Sequence, residues 1–117
     1  MAVLSEHQIQ NEIRIALCKY GWYVFRTNAG KFWQGKSAYD AKHGMILTNL
    51  RAVEGLPRGF SDLIAFKEGK TAFIECKTEN EQPREDQARF LQIMEQAGFI
   101  AGVARSPAAA LELVGEK

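Results

Sequence analysis

The chain has 117 residues, 46% of them hydrophobic and 25% charged, which fits one soluble globular domain. Its net charge of +1 argues against a protein that coats DNA through a global positive field, so any affinity for nucleic acid must come from a local patch. No apolar run approaches the ~20 residues of a membrane span.

The N-terminus, Met1 to Gln8, lacks the basic region and apolar stretch of a secretion signal, so a cytoplasmic protein is expected. Cys18 and Cys76 fall in apolar stretches without metal-ligand spacing and read as buried free thiols.

A first helix is expected from about Ser5 to Tyr20. Ser5 is a good N-cap, and Gln8 completes a capping box. Ile9, Ile13, Ala16, Leu17 and Tyr20 recur at helical spacing, and Gly21 ends the helix. Trp22 to Arg26 is rich in aromatic and β-branched residues and reads as a strand. From 27 to 60, Gly30, Gly35, Gly44, Gly55, Pro57 and Gly59 imply frequent turns, with a short strand within Met45 to Val53. Asp62 to Phe66 and Thr71 to Lys77 then read as two strands around the turn Lys67-Glu68-Gly69-Lys70.

A second helix is expected from about Pro83 to Ala97, with Gly98 as its stop. Phe99 to Ala104 forms the next strand, and Ser106-Pro107 opens a last short helix to about Val114. Leaving aside the short strand within Met45 to Val53, the order is α-β-β-β-α-β-α. A strand-helix-strand connection across the second helix implies a parallel pair, and so an α/β fold with a mixed central sheet flanked by helices.

Side chains alternate along a strand, so Glu75 and Lys77 share a face. A two-residue turn between Lys67 and Lys70, or a four-residue loop closed by Phe66 and Thr71, both set Asp62 opposite Glu75. Like charges facing each other across strands are destabilising, and the neighbours Leu63, Ile64, Ala65, Ala72, Phe73, Ile74 and Cys76 are apolar on both faces. Taken singly, Asp62 would cap the strand end and Glu75 would simply pair with Lys77. Together they call for compensation by a hard divalent cation, Mg²⁺ or Mn²⁺, with Lys77 as a second positive charge.

Glu12 lies among the apolar positions of the first helix, and Gln87 is in register with Phe90, Leu91 and Met94 on the second. Glu12 is a candidate for holding metal or its bound water, and Gln87 for orienting Lys77 or a phosphate. Between Arg26 and Phe60, six basic residues (Arg26, Lys31, Lys36, Lys42, Arg51 and Arg58) stand against Asp40 and Glu54. Phe32, Trp33 and Tyr39 are interleaved with them. Cations contact phosphates and aromatic rings stack on unpaired bases. Arg26, Lys31, Trp33, Lys36, Lys42 and Arg58 are therefore the candidate DNA-binding residues. His7 and His43 read as ordinary surface histidines.

Gly59-Phe60-Ser61-Asp62, then twelve residues, then Glu75-Cys76-Lys77 resembles the PD-(D/E)xK nuclease motif. With Glu12, Gln87 and the stretch Gly55-Leu56-Pro57-Arg58-Gly59-Phe60-Ser61-Asp62-Leu63-Ile64, the chain from about Ser5 to Val114 is similar to a stand-alone virus-type replication-repair nuclease (VRR-NUC) domain. The resemblance implies one such domain over residues 1–117, with a restriction-endonuclease-like αβββαβ core, Mg²⁺ or Mn²⁺ as cofactor and phosphodiester hydrolysis. It implies metal-ligand roles for Asp62, Glu75 and the Cys76 carbonyl, and the catalytic lysine at Lys77. It puts the acidic helix position on Glu12 and the second-helix glutamine on Gln87. Ser61 stands where the pattern often has proline, which shapes the chain and does no chemistry.

The stand-alone members resemble Holliday-junction resolvases in fold. That implies a homodimeric, structure-selective DNA endonuclease in phage or mobile-element replication or repair. The alternatives are a non-catalytic DNA-binding module whose carboxylates hold a structural ion, and a nuclease subunit silent without a replication or repair partner protein.

Overall fold

The computed structural model describes residues 4–29 and 31–116, Lys31 and Phe32 through their backbone alone. In chain order the elements are α1 (Glu6–Lys19), β1 (Tyr23–Arg26), β2 (Lys31–Asp40), β3 (Gly44–Glu54), β4 (Leu63–Lys67), β5 (Lys70–Cys76), α2 (Glu85–Gln96), β6 (Ile100–Ala104) and α3 (Pro107–Leu113). The central sheet has the order β1-β4-β5-β6. β5 and β6 run parallel, and the other two pairings are antiparallel.

Local chemistry accounts for most boundaries. Ser5 Oγ accepts from Gln8 N at 3.2 Å and Gln8 Oε1 accepts from Ser5 N at 2.8 Å, the expected capping box. Ser106 Oγ accepts from Ala109 N at 3.1 Å ahead of Pro107. α2 starts at Glu85, with Arg84 as its N-cap, two residues later than expected. Arg84 is extended, with ψ 161°, and its N–H donates to Gln87 Oε1 at 2.8 Å, so the cap falls after Pro83 and leaves it outside the helix.

The sheet is covered on both faces. Ile9, Ile13 and Leu17 of α1 pack with Ala110 of α3 and Val114 against Leu63, Ala65, Ala72, Ile74, Cys76 and Ala104. Fully burying a side chain such as Ile13 or Leu17 stabilises the fold by about 1.5–3 kcal/mol. The alternate residues of β5 face the other way. There Phe73 meets Phe90 of α2 and Phe99 edge-on, with ring centroids 5.5 and 5.6 Å apart, and Phe60 stacks on Phe90 at 4.4 Å.

Two expectations are corrected. Residues 31–54 are not a turn-rich segment with one short strand. They form a separate two-stranded sheet, β2 against β3, irregular between Gln34 and Lys36. Its strands bury no core face, so the apolar alternation that announces a strand is weak. Cys18 is exposed, and only Cys76 is buried. Cys18 follows Leu17 by one residue, a turn of about 100°, which carries it off the buried stripe.

Gly59 packs the end of the 55–61 loop onto α2. Its φ is +97°, and a Cβ there would lie 2.9 Å from the Asp86 carbonyl oxygen. Gly44 has φ +77° with open space around it. Gly44→Ala should therefore cost only the left-handed strain, about 1–2 kcal/mol. Gly59→Ala should cost clearly more, as measured by urea denaturation, and equal losses would show that the close approach does not constrain the fold.

Candidate active site

The register Leu63↔Ile74 and Ile64↔Phe73 extends by one step to Asp62 opposite Glu75, as the turn between Lys67 and Lys70 requires. Asp62 stands directly before β4, Glu75 is the penultimate residue of β5, and Lys77 follows it. The Asp62 carboxylate accepts from Cys76 N at 2.8 Å. On the other side Lys77 N donates to Ala104 O at 3.2 Å, so β6 holds the strand end in place. The N–H and C=O of one strand residue point to the same side, which turns the Cys76 carbonyl toward Asp62. Thr27 ties β1 to this point by donating its hydroxyl to Ser61 O, while Thr27 N donates to Asp62 O at 3.0 Å. Ser61 is fully buried and donates to Leu63 O at 2.9 Å, so the serine is bonded where the motif often has proline.

Glu75 is fully buried, and neither carboxyl oxygen has a hydrogen-bond partner among the described residues. Burial, and then the adjacent Asp62 carboxylate, push its pKa up from 4.5 to about 9, opposed by Lys77. Asp62 is close enough to act on Glu75 but forms no hydrogen bond with it by distance and angle. An orphaned carboxylate beside a second one fits a hard divalent cation, which would take the place of the proton. Among the described residues no three His, Cys, Asp or Glu side chains cluster as metal ligands. The oxygens gathered at this point are those of Asp62 and Glu75, with the Cys76 carbonyl turned toward the same side.

Asp62 and Lys77 open into a cavity of about 570 Å³, with Gln87 and Arg84 from the start of α2 and Glu6 from the start of α1 on its walls. Glu75 lies behind this wall. The Lys77 ammonium is nearly buried, 4.0 Å from a Glu6 carboxylate oxygen. Burial raises the Glu6 pKa, Lys77 opposes the rise, and Asp62 and Glu81 add to it. Gln87 is buried, and its Oε1 accepts from Arg84 N at 2.8 Å, which leaves its amide NH₂ as the donor available to the cavity.

Of these two α1 glutamates, the structure brings Glu6, and not the expected Glu12, to the cavity. Glu12 is exposed and does not line the cavity. Glu6, Gln10, Ile13 and Leu17 follow one stripe, whereas Glu12 lies about 240° around the helix from Glu6. His7 is exposed, as expected of a surface histidine, and it also lines the cavity, where its Nδ1 sits 3.1 Å from Arg26 Nη2. His43 is exposed and pairs with Asp40 at 2.8 Å.

Arg26 and Arg58 reach the cavity; Trp33, Lys36 and Lys42 stand apart from it on the β2–β3 arm. The side chain of Lys31 lies outside the described residues. Sequence reasoning also missed Arg105. One of its guanidinium nitrogens donates to the carbonyls of Thr78 and Glu81, clamping the loop that follows Lys77. A backbone-directed arginine 28 residues from Lys77 has no sequence signature.

A mixed sheet covered by helices, with its paired acidic residues and lysine at one end, is a nuclease-like α/β fold. The VRR-NUC domain model matches residues 4–108, and the chain belongs to that family, whose domains are nucleases. A solved structure titled "VRR_NUC domain" is similar in fold, with a TM-score of 0.60 and 20% identity over 93% of this chain and 92% of that one. A search of curated proteins finds no match.

The Glu75 proton sets a pH dependence for the metal-free protein. Between pH 4.5 and about 9 the unfolded chain has released this proton and the folded one retains it. The folded state binds more protons, so its stability is fully present below the unfolded value and falls as pH rises through the window. The slope for one proton is at most about 1.4 kcal/mol per pH unit. Denaturant unfolding in chelator from pH 5 to 9 should show this decline, and Glu75→Gln should flatten it. A wild-type profile as flat as the variant's would show that Glu75 ionises normally.

Proposed function

We propose that the chain is an Mg²⁺- or Mn²⁺-dependent endonuclease that hydrolyses DNA phosphodiester bonds. The observation that carries this reading is the buried, unpartnered Glu75 carboxyl beside Asp62, with the Lys77 ammonium at the wall of the same cavity. Asp62, Glu75 and the Cys76 carbonyl would hold the cation, which supplies Lewis acidity to a phosphoryl oxygen and to the attacking water.

Lys77 directs a positive charge at the phosphate and can hold the water by hydrogen bonding as charge develops. Glu6 keeps the ammonium in position. Gln87 uses its oxygen to cap α2 and its NH₂ to bind a phosphate oxygen. Arg26 and Arg58 receive the DNA backbone at the cavity rim. The whole of 1–117 acts as one domain, working as a homodimer on branched DNA in a phage or mobile-element setting within a bacterial cytoplasm. A 117-residue monomer offers little surface to a junction, and two copies would present two sites.

Both ends of the β2–β3 arm are rooted at the cavity, since residues 26–29 precede it, residues 58–60 follow it, and both groups line the wall. Its ten-residue strand is about 33 Å long, and Trp33 is 63% exposed. The arm therefore reaches along DNA from the cut site, with Lys36 and Lys42 against phosphates and Trp33 against unpaired bases.

Asp62→Asn and Glu75→Gln should each lower cleavage at least about 10²-fold, as the loss of several kcal/mol of metal stabilisation implies, while the far-UV spectrum stays unchanged. Lys77→Ala should slow single turnover by about 10²–10³-fold with little change in Mn²⁺ affinity by calorimetry. Glu6→Gln should impair cleavage and Glu12→Gln should not. Near-normal cleavage by the Asp62 or Glu75 variant would remove the metal site from this position. Wild-type binding without any cleavage, alone and at saturating metal, would favour the silent-subunit or binding-module reading.

For the arm, Trp33→Ala should weaken binding to single-stranded or branched DNA about tenfold or more, in line with the loss of one stacked base, and duplex binding much less. Fluorescence anisotropy on the two substrates measures the difference. Equal losses on both would place Trp33 outside base stacking.

A further inference from the structure

A second depression, about 400 Å³ in volume, lies over the first turns of α2 and is lined by Arg58, Arg84, Glu85, Asp86 and Arg89. It shares Arg58 and Arg84 with the cavity above Asp62 and Lys77, so the two form one continuous trough. Its cations come from separate parts of the chain. The close approach of Gly59 to the Asp86 backbone brings Arg58 against the helix. The Asp86 carboxylate then sits 3.2 Å from Arg84 and 3.9 Å from Arg58, and Glu85 sits 3.7 Å from Arg89.

These pairs do not explain the cluster as a source of stability. The three arginine side chains are 77%, 48% and 71% exposed for Arg58, Arg84 and Arg89, and ion pairs that exposed contribute little. Such guanidiniums are free to exchange a carboxylate for another anion at small cost, and their planar fork suits phosphate oxygens. Arg84 and Arg89 are five residues apart, about 7.5 Å along the helix axis, far enough for each to meet a different phosphate. Residues 26–29 do not line this second depression.

We propose that this trough binds the sugar–phosphate backbone of the strand being cut, with Arg84 and Arg89 on phosphates beside the scissile one. The proposal rests on the nuclease reading. Together with Arg26 and Arg58 it sets the course of the strand: across the mouth of the cavity, over Asp62 and Lys77, and along the first turns of α2.

The test is binding of a DNA strand by wild type and by the double variant Arg84→Gln, Arg89→Gln, measured in Ca²⁺ across a salt series. Single neutral methylphosphonates are walked along the strand, and Arg14→Gln on α1 is the control. The double variant should bind about tenfold or more weakly, and its log K against log salt should be shallower by about 1.4–1.8, the loss of two phosphate contacts. Wild type should lose affinity at one or two methylphosphonate positions flanking the cut, and the double variant should be indifferent there. Where the protein cleaves, the loss should fall on KM, with kcat within about threefold.

Wild-type affinity and salt slope in the double variant, or an unchanged methylphosphonate pattern, would overturn the proposal. A wild type that binds but never cleaves would overturn the nuclease reading instead, because the binding comparison needs no turnover.

Discussion

Glu75 carries a carboxyl group into the middle of the sheet end, where no described protein group bonds it. An isolated ionised carboxylate in such a place is so costly that the group takes up a proton or finds a cation. The metal-free protein takes the first course, with the Glu75 pKa far above the ordinary range. Everything near it is arranged around that choice. Asp62 brings a second carboxylate to the same spot, Lys77 N is tied to β6, and the apolar alternate face of β5 anchors the strand in the core. A bound cation would displace that proton, and Glu75 lies within a strand paired on both sides.

The helices make this strand end into a cavity. α1 and α2 lie on opposite faces of the sheet, yet both begin at the edge where β5 ends. Their first residues, Glu6 on one and Arg84 with Gln87 on the other, close around Asp62 and Lys77. Each helix is positioned by apolar packing far from the chemistry, Ile13 and Leu17 for α1 and the cluster of Phe60, Phe73 and Phe90 for α2. Arg105 then holds the connecting loop through its backbone carbonyls, and within the loop Glu81 Oε1 accepts from the Thr78 amide and hydroxyl.

The β2–β3 arm obeys a different logic. A two-stranded ribbon is at best marginally stable in water, and this one exposes Trp33, Tyr39, Met45, Leu47 and Leu50. Its persistence depends on strand pairing and on its rooted ends. An exposed ribbon with basic and aromatic side chains, anchored at the mouth of a nuclease cavity, has the composition of a surface that contacts nucleic acid.

Much of the core was legible from the residues alone. The Ser5 capping box, the turn between Lys67 and Lys70, and the alternation along β5 are local, so the first helix, the β4–β5 register and the pairing of Asp62 with Glu75 followed from spacing. The VRR-NUC resemblance rested on those same residues and is borne out by the family match. Three features were decided only by the tertiary structure. A helical stripe shows which face of α1 is buried but not which end meets the sheet edge, so spacing alone does not show that Glu6, and not Glu12, lines the cavity. The β2–β3 arm buries no core face, so it carries no strong periodic signal. Arg58 and Arg84 meet through a glycine pressed against a helix backbone across 26 residues of chain, and contacts of that kind are made by the packing of distant segments, which no local pattern encodes.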